Sequence, residues 1–453
     1  MTDRDFSDDI LDPDEALVPP QSDEKMAILF ATEYRRDLRY VAAWNRWYQW
    51  REHVWHPDDT LAAFDLARKI VRREANQING GNAQTRAKEA KALASARTVA
   101  ATVTLAKADR RLAATIDQWD ADPMRLNTPG GVVDLTTGSL LPHRREDYMT
   151  KVTAAVPGGE CPRWLAFLDH VMAGDKELVA YLRRVCGYML TGKTTEHALF
   201  FLYGHGGNGK GVFVGTIAGI LNDYHRAAPI TTFTEVATDQ HPTELAGLVG
   251  ARAVTAAETE QGRRWAEAKI KSLTGGDRIS ARFMRQDFFE FTPAFKLMIS
   301  GNHKPGLRSV DDAIRRRFNL IPFAVKISDA EKDPDLSEKL KAEWPGILQW
   351  MIEGCLEWQR IGLQSPKAVM EATDDYLASE DAVGLWIGEC CGLAKDAEDG
   401  ATELYKDWSK WAENNGERPG SQKQFGQRLE DRGLERFRNA RGRTGYRGIV
   451  RRI

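Results

Sequence analysis

The sequence predicts a multidomain α/β protein built on a phosphate-loop (P-loop) core, with a helical N-terminal region and a winged-helix-like C-terminal domain. Three observations carry this. An apolar run, His197–Tyr203, breaks into Gly204-His-Gly-Gly-Asn-Gly-Lys210-Gly211 and resumes as an apolar helix near Val212. Further short apolar strands follow, each bounded by polar residues suited to phosphate chemistry. Beyond them, two helical stretches precede an arginine-rich hairpin at the C-terminal end.

The strand–glycine loop–helix element comes first in the argument. Glycines at 204, 206, 207 and 209 open backbone angles closed to other residues. Several N–H groups can then point inward at a phosphate, at the positive end of the following helix. Lys210 adds a point charge that reaches the outer phosphates. On this reading Gly204, Gly206, Gly207, Asn208, Gly209, Lys210, Gly211 and Val212 surround the bound phosphates. Gly204 and Gly209-Lys210 have Walker A spacing, but the usual Ser or Thr after the lysine is Gly211, so no hydroxyl there can hold magnesium.

Three more signals follow in order. Arg252-Ala-Val-Thr-Ala-Ala-Glu258-Thr-Glu260 is a short strand ending in acids. Carboxylates at the carboxyl end of a parallel strand sit beside the phosphate loop, where they can hold Mg²⁺ and polarise a water. Phe295-Lys-Leu-Met-Ile-Ser-Gly-Asn302 delivers an amide to the same edge, suited to orienting that water or sensing a γ-phosphate. Asp311-Asp-Ala-Ile-Arg-Arg-Arg317-Phe leads into the strand Asn319–Phe323, and an arginine just before a strand can serve a neighbouring subunit's nucleotide.

Between the second and third signals lies Ile270-Lys271-Ser-Leu-Thr-Gly-Gly-Asp277-Arg-Ile-Ser-Ala-Arg282-Phe-Met-Arg285-Gln-Asp-Phe-Phe-Glu-Phe-Thr-Pro293. Arg282 and Arg285 flank Phe283 and Met284 in a strand-like segment, a pairing suited to phosphates and stacked bases. The whole set resembles the superfamily 3 (AAA+-like) helicases, specifically the phage/plasmid primase-helicase group related to poxvirus primase-helicase. The resemblance runs, with decreasing sharpness, from about Met124 to the C-terminus. It implies that Lys210 is the Walker A lysine, that Glu258, with Glu260, is the Walker B acid and Mg²⁺ ligand, and that Asn302 is the sensor. It implies an arginine finger at Arg316 or Arg317, and a DNA-contacting hairpin with Lys271, Arg282, Phe283 and Arg285. ATP and Mg²⁺ as cofactors, a hexameric ring and 3′-to-5′ polarity are likewise implied by resemblance. Gly211 departs from the general Walker pattern, so water or the acids must replace the missing hydroxyl.

Length and charge set outer bounds. A chain of 453 residues accommodates two to four domains, and a net charge of −2 hides a gradient from an acidic start to an arginine-rich end. That end, with Arg441 and Arg443, is expected to bind nucleic acid. No run is long enough to span a membrane and no basic-plus-apolar leader is present, so a cytoplasmic protein is expected, in a bacterial host or encoded by a virus or phage. The five cysteines show no C-x-x-C spacing and read as reduced core thiols.

The chain divides as follows. Residues 1–25 are acidic and expected to be disordered. Residues 26–120 read as helical, with Trp44, Trp47, Trp50 and Trp55 as a core stripe rather than a binding face, and an Ala-rich arm from Thr85 to Ala114. Residues 121–195 read as a collar, with short strands in Leu126–Gly138 and helices in Pro162–Leu168 and Glu177–Leu190. Residues 196–330 form the ATPase core and 331–378 a helical subdomain. Residues 379–453 form the winged-helix-like domain, with Ser421 capping a helix and a hairpin made by Glu435–Arg438 and Tyr446–Arg451.

The expected activity is that of an ATP-driven ring helicase acting on single-stranded and forked DNA during replication of a phage, plasmid or integrated element. Its expected partners are copies of itself and a primase, loader or polymerase. Two alternatives stay open: a bifunctional primase-helicase, for which Asp58-Asp59 is too little to argue from, and a DNA-binding scaffold or regulator with a weak or lost NTPase, to which Gly211 gives footing.

Overall fold

A computed structural model describes residues 18–236, 243–257, 262–285, 287–308, 310–438 and 442–452. Most of the expected acidic disordered segment, residues 1–17, lies outside the described residues; the chain is already helical at Asp23. The protein forms two compact units. The first comprises the chain up to Asp134 together with Ser139–Val156, and the second comprises Leu135–Gly138 together with Pro157 onward.

The first unit is less helical than its sequence suggests. Helix α1 (Asp23–Tyr34) is capped by the Ser22 hydroxyl, which accepts from Lys25 N. An antiparallel meander then runs through β1 (Leu38–Val41), β2 (Arg46–Arg51) and β3 (Val54–Pro57). Helices α2 (Ala62–Asn76), α3 (Ala83–Leu93) and α4 (Ala96–Ala106) follow, and Phe30, Leu38, Trp47, Ile70 and Val103 share one core. The tryptophans at 44, 47 and 50 have helical spacing, yet they sit in and beside strands. Asn45 turns the chain through the left-handed region (φ 48°), which a helix does not tolerate. Trp47 and Trp55 are buried as expected, whereas Trp44 is exposed. Asp58 caps α2, accepting from Ala62 N at 2.8 Å and Ala63 N at 3.0 Å, which gives that carboxylate a structural use. The strands β4 (Arg125–Thr128), β5 (Gly131–Asp134) and β6 (Ser139–Leu141) complete this unit.

The expected collar, 121–195, is thus split near residue 157. Its helices α5 (Pro162–Val171) and α6 (Lys176–Leu190) belong to the second unit. There α6 lies against α12 (Trp344–Ile361) with backbones in contact. A Cβ on Gly187 would meet Cys355 N at 2.1 Å, and one on Gly354 would meet Arg183 O at 2.0 Å. Arg183 and Arg184 both hold Glu357, at 2.6 and 2.7 Å.

The core of the second unit is a five-stranded, wholly parallel sheet in the order β13-β7-β12-β9-β8: Phe318–Pro322, Leu199–Tyr203, Lys296–Gly301, Ala253–Ala257 and His225–Ala227. Central strands covered on both faces read as continuous apolar runs, as β7 does. Helix α7 (Lys210–Leu221) follows β7, and Phe213 near its start stacks on Trp164 of α5 at 5.6 Å. On the other face Phe201, Trp265, Phe318 and Tyr376 join a core with α9 (Glu267–Gly275) and α13 (Lys367–Glu380). Between them lie the short α8 (Thr243–Ala246), the hairpin β10 (Ile279–Ala281) and β11 (Phe289–Phe291), α10 (Asp312–Arg315) and α11 (Leu336–Lys341).

At the entrance of the sheet, Arg252 donates to Leu190 O at 2.6 Å and Lys296 to Thr191 O, so two buried cations complement the carbonyl end of α6. Burial drives the Lys296 ammonium well below its ordinary pKa.

The C-terminal segment has the order of a winged helix: α14 (Ala382–Cys390), β14 (Cys391–Gly400), α15 (Ala401–Asn414), α16 (Gln422–Glu430), β15 (Glu435–Arg438) and β16 (Thr444–Arg451), in one antiparallel sheet β14-β16-β15. Trp386, Trp408, Phe425 and Tyr446 make its core, and Ser421 caps α16 in a capping box with Gln424. Cys161, Cys186, Cys355 and Cys391 are buried and all five cysteines are unpaired; burial pushes the Cys161 and Cys355 thiols up to about 11. Among the described residues no helix is long and apolar enough to cross a membrane.

Candidate functional site

The loop between β7 and α7 is shaped by its own close contacts. Gly204 sits at φ +158°, where a Cβ would meet Asn208 Nδ2 at 2.2 Å and Phe323 O at 2.3 Å. Gly209 caps α7 in the left-handed region (φ +83°), and a Cβ there would meet Val171 at 2.8 Å and Phe167 at 3.0 Å. Both positions therefore require glycine. Gly206 and Gly207 are exposed, and a Cβ on Gly206 would touch nothing within 4 Å. The curve leaves the first N–H groups of α7, at Lys210, Gly211 and Val212, without intrahelical acceptors, which is the arrangement that binds anions.

Lys210 is buried in this curve, and its ammonium donates to Gly204 O at 2.7 Å, Asn208 Oδ1 at 3.0 Å and Asn302 Oδ1 at 3.2 Å. Burial lowers its pKa. Asn302 follows β12, whose last residue Gly301 is in register with Tyr203, the last of β7. The sequence-predicted loop lysine and amide thus meet at one sheet edge. Ala257 ends β9 beside Ser300, at that same edge. Glu258 and Glu260, the acids expected next, lie outside the described residues.

The geometry of this loop fits a phosphate chain. The metal fits less directly: the described residues contain no cluster of three metal-ligating side chains, and Gly211 carries no hydroxyl. A Cβ on Gly211 would meet nothing within 4 Å, so a serine has room there.

The two arginines expected as fingers differ in burial. Arg317 is buried, donating to Thr274 Oγ1 at 3.1 Å and Ala313 O at 2.7 Å. Burial and the adjacent Arg316 charge lower its pKa. Arg316 is exposed. It precedes β13, which is parallel to β7 with Phe318 opposite Leu199. Arg316 therefore stands at the amino edge of the sheet and the phosphate loop at the carboxyl edge, a five-residue strand or about 16 Å away.

The expected DNA segment is an exposed hairpin. Arg282 to Arg285 form its tip rather than a strand, with Arg285 at φ +62°. Phe283, Met284 and Phe288 are 42, 70 and 59 % exposed, Phe283 stacks on Phe289 at 5.5 Å, and Arg282 lies 4.8 Å over Phe288. Phe288 was not singled out by the sequence pattern, because only folding brings it back beside Arg282. Lys271 stands apart from this tip: it is on α9, ion-paired with Asp311, the N-cap of α10. Lys304 was also missed. It follows Asn302 and its ammonium lies 4.2 Å over the Tyr203 ring, with burial lowering its pKa.

The arginine-rich tail is less free than its sequence suggests. Arg447 pairs with Glu398 at 2.9 Å and Glu435 at 3.5 Å, and Arg451 with Asp399 at 2.8 Å. Arg436 is 3.8 Å from Glu430. Arg443 is exposed, and Arg441 lies outside the described residues.

Comparison with known proteins brings this geometry to a family. The family described as D5 N terminal like matches residues 27–173, and a family of unknown function (DUF5906) matches residues 202–317, the span holding the phosphate loop, Asn302 and Arg316. The chain is 28% identical over 262 residues to "Putative helicase L207/L206" of Acanthamoeba polyphaga mimivirus, covering 53% of this chain and 27% of that protein. It is 26% identical over 283 residues to "Putative helicase 022R" of Frog virus 3, covering 55% and 28% respectively. The chain resembles the D5-like helicase family of phages and viruses, which these matches support. It spans about a quarter of the length of these D5-like relatives. Among solved structures, the A form apo structure of the NrS-1 C-terminal region shares the fold, with a TM-score of 0.51, 10% identity, and coverage of 94% of this chain and 100% of that one.

Proposed function

We propose that the chain is an ATP-dependent, ring-forming DNA helicase that translocates on single-stranded DNA and opens a fork. The observation that carries this reading is the placement of the two cationic groups on one parallel sheet. Lys210 lies at the carboxyl edge beside Asn302, and exposed Arg316 lies at the opposite edge, too far to serve the same nucleotide. An arginine so placed completes a site only on a neighbouring copy, and head-to-tail repetition of that contact closes into a ring.

In this reading ATP phosphates lie on the loop N–H groups and Lys210, and the neighbour's Arg316 stabilises charge developing on the γ-phosphoryl group. Asn302 orients the attacking water. A bound Mg²⁺ would be held by Glu258, with water in place of the missing hydroxyl at Gly211, and would supply positive charge to the phosphates. The β10–β11 tip contacts the strand in the channel through Arg282, Phe283 and Arg285, and the C-terminal domain contacts duplex. Hexameric state and 3′-to-5′ direction follow the family resemblance, as does a role in replicating a phage, plasmid or integrated element. A scaffold with a lost NTPase keeps one supporting observation, the glycine at 211.

Strand displacement on forked DNA with ATP and Mg²⁺, comparing the parent with Lys210→Ala, tests the proposal. Unwinding by the parent and none by the variant is expected. Equal DNA binding with no ATP turnover by either would favour the scaffold.

A further inference from the structure

Asn208 is the other buried polar side chain of the loop, 3% exposed, and both ends of its amide are used. Its Oδ1 accepts from the Lys210 ammonium at 3.0 Å. Its Nδ2 donates to Phe323 O at 3.0 Å. Phe323 is the first residue after β13, and its own N–H donates to Tyr203 O at 2.9 Å. A single side chain therefore joins the phosphate-binding lysine to the end of the strand that begins beside Arg316.

That strand is suited to carry displacement rather than absorb it. Each of its residues is in register with β7, from Phe318 opposite Leu199 to Pro322 opposite Tyr203. The bond from Leu199 N to Arg317 O, at 2.7 Å, extends the ladder back to the residue next to Arg316. Gly204 has no side chain to separate Asn208 from Phe323, and a methyl group there would collide with both. The loop is thus built to let this contact form. A packed strand held in register by its neighbour along its length transmits small shifts instead of dissipating them.

We infer that Asn208 is a positioning residue that couples a subunit's own phosphate site to the arginine the same subunit offers its neighbour. The inference rests on the ring-motor reading above. When phosphate takes up the Lys210 ammonium, the change reaches Asn208, then the Phe323 carbonyl, then β13 and Arg316. The amide suits this because its two ends supply an acceptor for the ammonium and a donor for the carbonyl at once.

Substitution separates the two halves. Asn208→Asp keeps an acceptor for Lys210 and removes the donor to Phe323 O, whereas Asn208→Ala removes both. The full chain is assayed for ATP affinity, for ATPase kcat and KM, and for cooperativity in ATP, with Arg316→Ala alone and combined. The coupling predicts that Asn208→Asp lowers kcat at least tenfold at saturating ATP and drops the Hill coefficient towards one. Added to Arg316→Ala, it should cause no further loss, because both changes act through one element. Losses that multiply in the double variant, or an Asn208→Asp enzyme whose kcat and cooperativity match the parent, overturn the coupling. A fall in affinity matched by an unchanged kcat also overturns it, since that is the pattern of a loop part only. A parent chain that binds DNA but never turns over ATP removes the motor reading, and the coupling with it.

Discussion

Two arginine-bearing hairpins sit in one chain, and they use their charge in opposite ways. The motor hairpin, β10–β11, holds Arg282 against an exposed Phe288 and projects Phe283 and Met284 into solvent. The C-terminal hairpin, β15–β16, ties Arg447 to Glu398 and Glu435, and Arg451 to Asp399. The acids come largely from β14, which pairs with β16 at Cys391–Leu393 and again at Glu398–Gly400. Local arginine density therefore overstates the charge the C-terminal sheet offers to DNA. What decides availability is whether folding brings a carboxylate alongside.

The strongest way to break this comparison is to remove the exposed rings. Phe283→Ala with Phe288→Ala should weaken single-strand binding at least tenfold, since base–aromatic stacking contributes about 1–3 kcal/mol per base. Fluorescence anisotropy on an oligonucleotide and on its abasic counterpart checks it: the parent should distinguish the two strands and the variant should not. Equal parent affinity for both strands would show that bases are not stacked there. The next effect concerns salt. Arg282→Ala and Arg285→Ala should each flatten the dependence of log affinity on log salt by about 0.7, one phosphate per arginine. A slope unchanged in both variants would remove phosphate contact from the tip.

In the C-terminal sheet the expected effects are structural. Asp399→Ala leaves the half-buried Arg451 without its carboxylate and should destabilise β14–β16 by about 1–3 kcal/mol. Faster amide exchange across β16 is the readout, and unaltered exchange would count against the pair. The smallest effect belongs to Arg447→Ala, which should change duplex affinity less than about twofold, because an arginine paired with two exposed acids has little attraction left for phosphate. A loss of tenfold would place this sheet in the same class as the motor hairpin.

Much of the motor was legible in the sequence. Glycine positions, apolar strand runs and the lysine report local backbone needs, and those needs are met where they were read: Gly204 and Gly209 at close contacts, Lys210 and Asn302 at one edge. The difference in burial between Arg316 and Arg317 needed the fold, since it arises from the contact of Arg317 with Thr274. Three readings needed correction for the same reason. The helical spacing of Trp44, Trp47 and Trp50 hid a meander, because three-residue spacing does not report the left-handed turn at Asn45. The collar was divided because α6 packs backbone-to-backbone on α12, more than 150 residues later by the register of Gly187 with Cys355. Lys271 is ion-paired at the surface because Asp311, distant in sequence, lies beside it. Partners set by tertiary contact leave no local pattern.

The central claim is that Lys210 and Arg316 of one chain serve different nucleotides, and mixing subunits tests it directly. Lys210→Ala protein, inactive alone, and Arg316→Ala protein, which keeps a low measurable turnover, are combined and assayed for ATP hydrolysis. The Arg316→Ala subunit retains an intact phosphate loop and the Lys210→Ala subunit retains the arginine, so the mixture should regain turnover at their shared interfaces. A mixture no more active than its components, under conditions where the parent subunits assemble and hydrolyse ATP, would contradict the account.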